Sequence, residues 1–521
     1  MASRTSSPNP LSTGEGGLTH ERAVHVQGSG LPTALSPQSG VPSGSLSPVP
    51  SRWLLPTIAL GTTLAPLNST MIAVALPDVQ RAFSASVTAT AWLVSLYLVT
   101  MAIVQPIGGR LGDLLGRRRL YLWGLAGFAI ASAGCAFAPS LPLLIVCRTG
   151  QALAGALTLP NGTAIVREAV PTEKRASAFG TIGLATGMAA ALGPPLGGVL
   201  VHAFGWQAIF WANVPVVLAT ALLGMRQLPG KTVLTSHPVA QSEELPIPVP
   251  RRIKRPEASF DFGGSGLLVV ALAGLLVVPT FLKLHRAELA VTSGVAGLIV
   301  GALFLRWELR HRAPVVEVRL FAARDFSAAC ASIYLSNLVM YTSLLALPLY
   351  LENVRGHDAR VTGLTLAVLS GLAALGGPLG GRLADGRGRR LPALAGAVAL
   401  CGGAVLQAVA ASDVPLWPLA LALGLMGLGL GIQGAPVQTA AIEASPPERT
   451  GAAAGVYSTS RYLGSVTGAG VLAIILAQRP GSGEDGRFVW LFAGLAAVAV
   501  VGIVVNGVIS AKRSPSLAPS R

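Results

Sequence analysis

The sequence predicts an all-α membrane protein in which two six-helix bundles are joined by two further transmembrane helices. Three observations support this fold class. Of the 521 residues, 52% are hydrophobic and only 12% are charged. The apolar residues form runs of about 20, the length of one bilayer crossing, and short basic segments separate these runs. With a mean hydropathy of +0.62, the chain cannot be an ordinary soluble domain.

Fourteen apolar runs follow a plan of six, two and six spans. A polar, Pro-rich segment from Leu228 to Phe260 separates the first six spans from the next two. The predicted spans are about 54–76, 90–111, 119–138, 142–165, 177–201, 207–227, 264–283, 288–306, 327–350, 362–384, 391–411, 415–440, 451–477 and 488–510.

This plan divides the chain into seven segments. The first is rich in Ser, Pro and Gly and lacks an apolar core, so it is expected to be a disordered tail and not a signal peptide. The predicted segments are a cytoplasmic tail at 1–52, a first bundle at 53–228, a cytoplasmic loop at 229–262, two linking helices at 263–307, a second loop at 308–325, a second bundle at 326–510 and a tail at 511–521.

The distribution of basic residues predicts the orientation. If the amino terminus is cytoplasmic, segments on that side carry 29 Lys and Arg residues, and segments on the other side carry 7. This bias follows the positive-inside rule and predicts a multi-pass protein of the plasma membrane with both termini in the cytoplasm. Because the net charge of +16 is spread over short loops, nucleic acid is not an expected partner.

A basic motif occurs twice, as GRLGDLLGRRR at Gly109–Arg119 and as GRLADGRGRR at Gly381–Arg390. Its first Gly suits close helix packing, its Asp can meet a helix N-terminus or an Arg, and a second Gly permits a tight turn. The alternative is a basic loop that only obeys the positive-inside rule, but the duplication favours a specific gating role. The predicted gating residues are Gly109, Asp113, Gly116, Arg117, Gly381, Asp385 and Arg389.

Two arginines lie within predicted spans, where an ionisable group is costly and is expected to have a function. Arg148, about two turns into the fourth span, either extends to the outer surface or packs inside, and its small neighbours favour the interior. Arg461, about three turns into the thirteenth span, is too deep to reach the surface easily. Both could attract an anionic group or anchor a gate.

The fifth predicted span contains a dense cluster of glycine and proline. Prolines interrupt helix hydrogen bonding, and glycines leave a smooth groove for a neighbouring helix. The alternative is that both residue types are simply common in membrane helices. The clustering favours a helix at a moving interface, formed by Gly187, Gly193, Pro194, Gly197 and Gly198.

No acidic residue is predicted to lie in the middle of a span. All 22 Asp and Glu residues and all seven His residues lie in loops, in tails or at span ends, so no buried proton relay is evident. Uncharged polar side chains lie within the spans instead, and they could line a cavity or only bond neighbouring helices. The cavity candidates are Asn161, Asn337, Gln433 and Gln438.

No enzyme, metal or cofactor site is predicted. The four cysteines all lie in apolar runs without the spacing of a metal site. A nucleophile elbow and a phosphate-binding loop are both missing, so the chain is not expected to hydrolyse ATP. A gradient must therefore supply the energy for any work that the protein does.

These motifs resemble the major facilitator superfamily, and the plan of six, two and six spans is similar to its fourteen-span drug:proton antiporter branch. The resemblance runs from about Trp53 to Ser510. Besides the repeated basic motif and the fifth-span cluster, it rests on LNSTMIAVALP (Leu67–Pro77), RTGQALAGA (Arg148–Ala156), WQAIFWANVP (Trp206–Pro215), LPLYLENVRG (Leu347–Gly356) and GAAAGVYSTSRYLG (Gly451–Gly464).

The resemblance implies two six-helix bundles that rock about a central cavity and export a substrate in exchange for protons. Carried over by position, it implies that Asp113 and Arg117 belong to a cytoplasmic gating network. It implies that Arg148 belongs to a fourth-span motif linked with proton coupling, and that the fifth-span cluster matches a motif of antiporters. The coupling candidates are Asn68, Arg148, Gln151 and Arg461.

Two positions depart from the family pattern. Ala152 replaces a Gly, which alters packing at most, but Asn68 stands where the family usually has an acid. The expected proton carrier is therefore missing. Either a span-end acid binds the proton instead, or the solute moves without protons; the candidate acids are Asp78, Asp113 and Glu352.

The function expected from these features is export of amphipathic organic compounds, such as drugs or antibiotics, by proton antiport. The expected partners are a small-molecule substrate, protons and the lipid bilayer, and the protein is expected to function as a monomer. A dedicated metabolite exporter and a proton-independent exchanger are the alternatives within transport. A non-transporting membrane sensor is disfavoured, because the tail at 1–52 and the loop at 228–260 are too polar and Pro-rich for a folded domain.

Overall fold

The computed structural model describes residues 52–228, 260–283, 286–311, 314–357, 359–410, 415–476 and 484–511. The predicted amino-terminal tail up to residue 51, the predicted loop between 229 and 259 and the carboxy-terminal tail from 512 onward therefore lie outside the described residues. All regular secondary structure in the described part of the chain is helical.

Fifteen α-helices, numbered α1 to α15 in chain order, make up most of the described residues. They are α1 (Leu54–Ala82), α2 (Val87–Leu115), α3 (Arg117–Ala136), α4 (Leu141–Ala169), α5 (Arg175–Phe204), α6 (Ala208–Trp211), α7 (Asn213–Gln227), α8 (Phe262–Lys283), α9 (Ala287–Arg310), α10 (Arg324–Leu349), α11 (Ala359–Arg387), α12 (Arg390–Ala410), α13 (Leu416–Glu443), α14 (Thr450–Leu476) and α15 (Glu484–Val508).

Within the described residues, ten helices are long and apolar enough to cross a membrane. Helix α1 is not among the ten because it is bent: its two parts, Leu54–Ile72 and Val74–Ala82, meet at an angle of 59°. If α1 is counted as one span, the number rises to eleven. The short α6 and the longer α7 together form one of the ten, from Ala208 to Gln227. The protein is thus a multi-pass membrane protein, and the count of fourteen crossings stays a prediction.

The helix contacts form two sets with the same internal arrangement. In the first set, α1 packs against α5 and α7, and α4 packs against α2 and α3. In the second set, α10 packs against α14 and α15, and α13 packs against α11 and α12. The two sets meet where α2 packs against α14 and where α5 packs against α11. We call this surface the seam.

The two linking helices, α8 and α9, pack against each other at closely spaced glycines. A Cβ atom on Gly297 would lie 2.9 Å from the backbone nitrogen of Leu275, so the two backbones could not approach as closely with a larger residue. α8 also packs against α2 and α14. The linking helices therefore lie beside the seam and contact both helix sets.

Several helices extend beyond the apolar runs that predicted them. α2 continues to Leu115, four residues past the predicted end, and α9 continues to Arg310, also four residues past it. Backbone hydrogen bonding does not require apolar side chains, so a charged residue ends an apolar run without ending the helix. As a result Asp113 and Glu308 both lie within helices. The sequence had predicted a span end for Asp113 and a loop for Glu308.

The predicted span at 207–227 is divided at Ala212 into α6 and α7. Pro215 has no N–H to donate to the carbonyl of Trp211, four residues earlier, so the hydrogen-bond ladder is interrupted at this point. The new helix instead begins at Asn213, with the proline in its first turn, where a missing N–H costs little.

Candidate functional site

The two copies of the basic motif lie at one end of the helix sets, which we call the loop-motif end. At this end the carboxylate of Asp113 on α2 accepts hydrogen bonds from the backbone N–H groups of Gly451 and Ala452, both at 3.0 Å. These two residues form the first turn of α14, in the other helix set. A negative charge at a helix N-terminus is stabilised by the free N–H groups and by the helix dipole.

Asp385 makes the equivalent contact in the opposite direction. Its carboxylate, at the end of α11, accepts hydrogen bonds from the backbone N–H groups of Ala176 at 3.2 Å and Ser177 at 2.9 Å. Both residues lie in the first turn of α5. Each motif therefore places one carboxylate on the N-terminus of a helix that belongs to the other set.

These contacts require glycine on the facing helices. A Cβ atom on Gly109 would lie 1.9 Å from the carbonyl oxygen of Gly451, and one on Gly381 would lie 2.5 Å from that of Ala176. Gly116 has a φ of +103° and forms the one-residue turn between α2 and α3. Larger residues at Gly109 or Gly381 would separate the backbones and lengthen the carboxylate contacts.

Arg117 connects Asp113 to two further groups. It donates to the Asp113 carboxylate at 3.0 and 2.8 Å, donates to the carbonyl oxygen of Pro447 at 2.8 Å, and pairs with Glu168 on α4. Its side chain and that of Asp113 are 9% and 1% exposed. This shielding strengthens the pair relative to an ion pair in water.

The second helix set has a corresponding ion-pair cluster. Arg389, in the second copy of the motif, pairs with Glu443 at the end of α13. Arg175 of the first set also approaches Glu443, at 3.7 Å. Arg167 adds a further contact across the seam, because it donates to the side chain of Ser445 at 3.0 Å and to its carbonyl oxygen at 2.8 Å.

The segment that follows α9 reaches the same end. Glu317 pairs with Arg449, which immediately precedes α14. Partial burial, together with the nearby charge of Arg110, lowers the pKa of Arg449 from its ordinary value, while Asp113 opposes that change. The linking segment is therefore tied to the helix whose N-terminus holds Asp113.

Arg148 lies inside the first helix set and not at its surface. Its side chain is 1% exposed. The guanidinium donates to Gln151 and, at 3.4 Å, to the carbonyl oxygen of Asn68, and it lies 4.1 Å from the ring centre of Tyr97. Gln151 is held in turn by a hydrogen bond from its amide to Ser132 at 2.6 Å. The structure thus brings together three of the four coupling candidates.

Arg461, the fourth coupling candidate, lies on α14 in the other helix set. Its guanidinium is 5.7 Å from the ring centre of Tyr457, and the side chain is partly exposed. Its neighbour Tyr462 packs against the apolar cluster that contains Tyr97. Arg461 is therefore on the helix that faces the Arg148 region, without belonging to it.

The fifth-span cluster contacts two different helices. A Cβ atom on Gly187 would lie 3.0 Å from Ala374 of α11, across the seam. Gly193 and Gly197 instead face α1, because Cβ atoms there would lie 1.8 Å from Thr70 and 3.1 Å from Met71. Gly198 has more room, with its nearest neighbour, on Val74, at 4.0 Å. Pro194 lies within α5, and its side chain is outside the described set.

The four cavity candidates make hydrogen bonds to neighbouring groups. Asn161 donates to the carbonyl oxygen of Gly108 at 3.1 Å, and Asn337 donates to its own helix. Gln433 donates to Ser336 at 2.8 Å, whereas Gln438 reaches across the seam to Thr163 at 3.5 Å. In this conformation Asn161, Gln433 and Gln438 bond neighbouring helices together, whereas Asn337 bonds within α10.

Sequence reasoning missed two buried carboxylates, one just before α8 and one in α9. Asp261 and Glu308 are each 4% exposed. A Cβ atom on Gly264 would lie 2.4 Å from Asp261 Oδ2 and 2.8 Å from Glu308 Oε1, so the two carboxylates face the same point. The signal was present in Trp307–Leu309, where apolar residues continue on both sides of Glu308 past the predicted span end.

The two carboxylates are not equally satisfied. Asp261 accepts from the Gly264 N–H at 2.7 Å and from the Trp307 indole at 3.0 Å, and His311 lies 3.4 Å from it. Glu308 Oε1 accepts only long hydrogen bonds of 3.3 and 3.5 Å from two backbone N–H groups, and its Oε2 has no partner among the described residues. Within the described part of the chain, no cluster of His, Cys, Asp and Glu fits a metal ion.

The chain is similar to a known protein family and to several known transporters. The model of the Major Facilitator Superfamily matches residues 58–469 and 329–520. An MFS-type transporter of Bacillus subtilis strain 168, YvkA, is 36% identical over 87% of this chain and 95% of its own length. The multidrug resistance protein Stp of Mycobacterium tuberculosis H37Rv is 32% identical over 80% of this chain and 74% of its own.

Two further similarities concern an exporter and a solved structure. The tetracenomycin C resistance and export protein of Streptomyces glaucescens is 30% identical over 81% of this chain and 76% of its own length. The crystal structure of the human organic anion transporter MFSD10 superposes with a TM-score of 0.60, at 18% identity, over 87% of this chain and 99% of the other. The structural likeness supports the fold alone.

Replacing Asp113 or Asp385 by Asn should open the loop-motif end. Loss of a charged, at least partly buried hydrogen-bond acceptor is expected to destabilise the closed arrangement by about 1–3 kcal/mol, roughly a 5- to 150-fold shift in population. The measurement is labelling of Ser445→Cys by a maleimide in purified protein whose native cysteines have been replaced, because Ser445 is 4% exposed in the seam. Faster labelling is expected in both variants.

The matched control is Asp78→Asn, whose carboxylate pairs with Arg81 at the opposite end of the helices. This variant should label at the unmodified rate. Equal labelling rates for all three Asn variants would show that the carboxylates do not hold the seam closed.

Proposed function

The chain belongs to the major facilitator superfamily of transporters, and from that membership we propose that it exports amphipathic organic compounds in exchange for protons. Drugs and antibiotics are the substrate class that we infer. The protein acts as a monomer with fourteen spans in the plasma membrane, and its loop-motif end faces the cytoplasm, because basic residues concentrate there.

The observation that carries this proposal is the reciprocal contact of Asp113 and Asp385 with helices of the opposite set. Alternating access requires two rigid parts joined by contacts that can be made at one end and broken during transport. Hydrogen bonds between a carboxylate and a helix N-terminus suit this purpose, since water can satisfy both groups when they separate. The arrangement corresponds to a transporter closed to the cytoplasm.

The direction of transport is inferred from the relatives. Two of them carry names that denote resistance to multiple drugs or export of tetracenomycin C. Both match about four fifths of this chain. We therefore assign this chain to export and not to uptake.

Asn68 favours a second candidate, exchange without protons, because an amide at this position cannot release a proton as the usual acid would. Of the acids that could substitute, Asp78 is ion-paired at the far end, and Asp113 accepts hydrogen bonds from both the α14 N-terminus and Arg117. The side chain of Glu352 lies outside the described set.

Glu308 is better suited to bind the proton. It is buried, faces the carboxylate of Asp261, and has one oxygen without a partner among the described residues. Two carboxylates facing each other favour a shared proton, because both cannot easily be ionised away from water. His311 lies against Asp261, and the charge of Arg110 acts on Glu308 from α2. Through Glu317 and Arg449 the same segment reaches the seam.

Export should depend on the pH gradient and on Arg148. Efflux of a panel of antibiotics and dyes of different charge is measured in cells with and without the gene, in the presence and absence of an uncoupler. The uncoupler is expected to stop efflux. Arg148→Ala should reduce it to the background level, because the substitution removes the buried guanidinium that organises Asn68, Gln151 and Tyr97.

The control is Arg286→Ala, an exposed arginine at the start of the linking helix α9, which should export normally. Membrane abundance is measured for each variant, and Arg148→Ala should remain near normal. Efflux that continues undiminished after the gradient collapses would contradict proton coupling, and loss of the Arg148→Ala protein from the membrane would contradict a functional role for this residue.

Glu308→Gln should uncouple export from protons. The Gln side chain keeps the size of Glu308 but cannot bind and release a proton, so efflux driven by a pH gradient across vesicles is expected to fall at least about tenfold. Counterflow of labelled substrate without a gradient should persist. Glu288→Gln, at the exposed start of the same helix, is the control and should retain gradient-driven efflux. Normal gradient-driven efflux by Glu308→Gln would exclude this proton site.

A further inference from the structure

Arg148 is a buried cation with no carboxylate partner among the described residues. Its guanidinium contacts only neutral groups: the amide oxygen of Gln151, the backbone oxygen of Asn68 and the ring of Tyr97. Its side chain is 1% exposed. A charge inside a membrane protein is normally paired or faces a cavity, because burial without a counter-charge is costly. The positive charge of Arg148 is therefore available to an incoming anion.

Asn68, whose backbone oxygen contacts this cation, also has an unsatisfied side chain. It is fully buried, at 0% exposure, and neither its amide nitrogen nor its amide oxygen has a hydrogen-bond partner among the described residues. Buried side-chain amides are nearly always hydrogen-bonded, so an amide with both atoms unpaired needs an explanation. A ligand that accepts hydrogen bonds from the amide nitrogen and from Arg148 would provide one.

We propose that Arg148 and Asn68 form a binding site for a compact anionic group, namely the carboxylate of the exported compound. This inference rests on the export function proposed above and adds a substrate class to it. A guanidinium offers two parallel N–H groups that match the two oxygens of a carboxylate. The Asn68 amide supplies a further donor next to them.

The surrounding contacts leave one edge of the guanidinium open. Gln151, fixed by Ser132, holds one terminal nitrogen, and Tyr97 covers a face of the plane. The Nε atom of Arg148 has no partner among the described residues, and the nitrogen nearest Asn68 makes only a long contact of 3.4 Å. The open edge therefore lies toward the Asn68 backbone, and we infer that a carboxylate bound there contacts both Arg148 and the Asn68 amide.

The site lies close to the surface between the two helix sets. Tyr97 belongs to an apolar cluster with Ala65 and Ala152, and Tyr462 of α14 packs against this cluster from the other set. Movement of α14 away from the first set would uncover the cluster. Arg461, next to Tyr462 in the sequence, adds a second positive charge on the facing helix. An anion entering between the sets would meet positive charge from both.

The identity of residue 68 determines which ligands the site accepts. An acid here would neutralise Arg148 permanently and would attract protons or cations. Asn68 keeps nearly the same shape without the charge, so the positive charge remains for the ligand. Chloride is a compact anion like a carboxylate and is therefore a competing ligand for this site. The test described next distinguishes chloride binding from carboxylate binding.

The test measures ligand binding to the purified protein through the shift in its thermal unfolding midpoint. The measurement is made in chloride-free gluconate buffer. The probes are benzoate, its uncharged isostere benzamide, and chloride. Benzoate is expected to raise the midpoint in a saturable way, whereas benzamide is not. If chloride raises the midpoint and competes with benzoate, the site accepts inorganic anions as well. Equal effects of benzoate and benzamide, or no effect of any probe, would overturn the proposal.

Asn68→Asp supplies the sharpest variant, because it changes charge without changing size. Its carboxylate should pair with Arg148, which raises the midpoint without ligand and weakens benzoate binding at least about tenfold. Arg148→Gln should abolish the benzoate effect. Unchanged benzoate binding in Asn68→Asp would contradict an anion site at this position.

Export is tested separately in proteoliposomes with radiolabelled benzoate and benzamide. Binding of benzoate at Arg148 without any export would contradict the proposed function while leaving the anion site supported. Export of benzamide and benzoate at equal rates, in wild type and in Asn68→Asp alike, would support an exporter and overturn the anion site. The two hypotheses can therefore fail independently.

Discussion

The structure depends on the need to stabilise charge where water has limited access. Asp113 and Asp385 are held by the backbone N–H groups at the start of α14 and α5, so each carboxylate interacts with the positive end of a helix dipole. Because the two interactions run in opposite directions across the seam, both helix sets contribute one acid and one helix N-terminus. These contacts hold the loop-motif end closed in this structure, and under the proposed mechanism it opens when water replaces them.

These contacts require the backbones of the facing helices to lie close together. Gly109 meets Gly451, and Gly180 meets Gly377 so closely that Cβ atoms would lie 1.9 and 2.4 Å from the facing carbonyl oxygens. In membranes, where apolar side chains gain little from meeting each other, such small-residue packing supplies much of the attraction between helices. Because these glycines have no side chains, the helices do not interlock across the seam. This suits helix surfaces that separate and rejoin.

The sequence predicted the helical class and the residues of the repeated motif, since apolar runs and repeated charges are local patterns. It could not predict that Asp113 meets Gly451, because 338 residues separate the two and only packing brings them together. Glu308 was missed for a related reason: the charge of Arg306 ended the predicted span, although α9 continues to Arg310. The absence of a carboxylate beside Arg148 among the described residues was likewise visible only after the helices were assembled.

The central claim is that the carboxylates of Asp113 and Asp385 close the loop-motif end and that this end opens when they are lost. Spin labels at positions 119 and 390, exposed residues at the start of α3 and α12, report the separation of the two sets in a cysteine-free protein in nanodiscs. The closed arrangement requires both carboxylates, so replacing Asp113 and Asp385 together by Asn should destabilise it. The account predicts one short distance in the protein with both carboxylates and a longer-distance population in the double Asn variant; the same distance distribution in both proteins would contradict it.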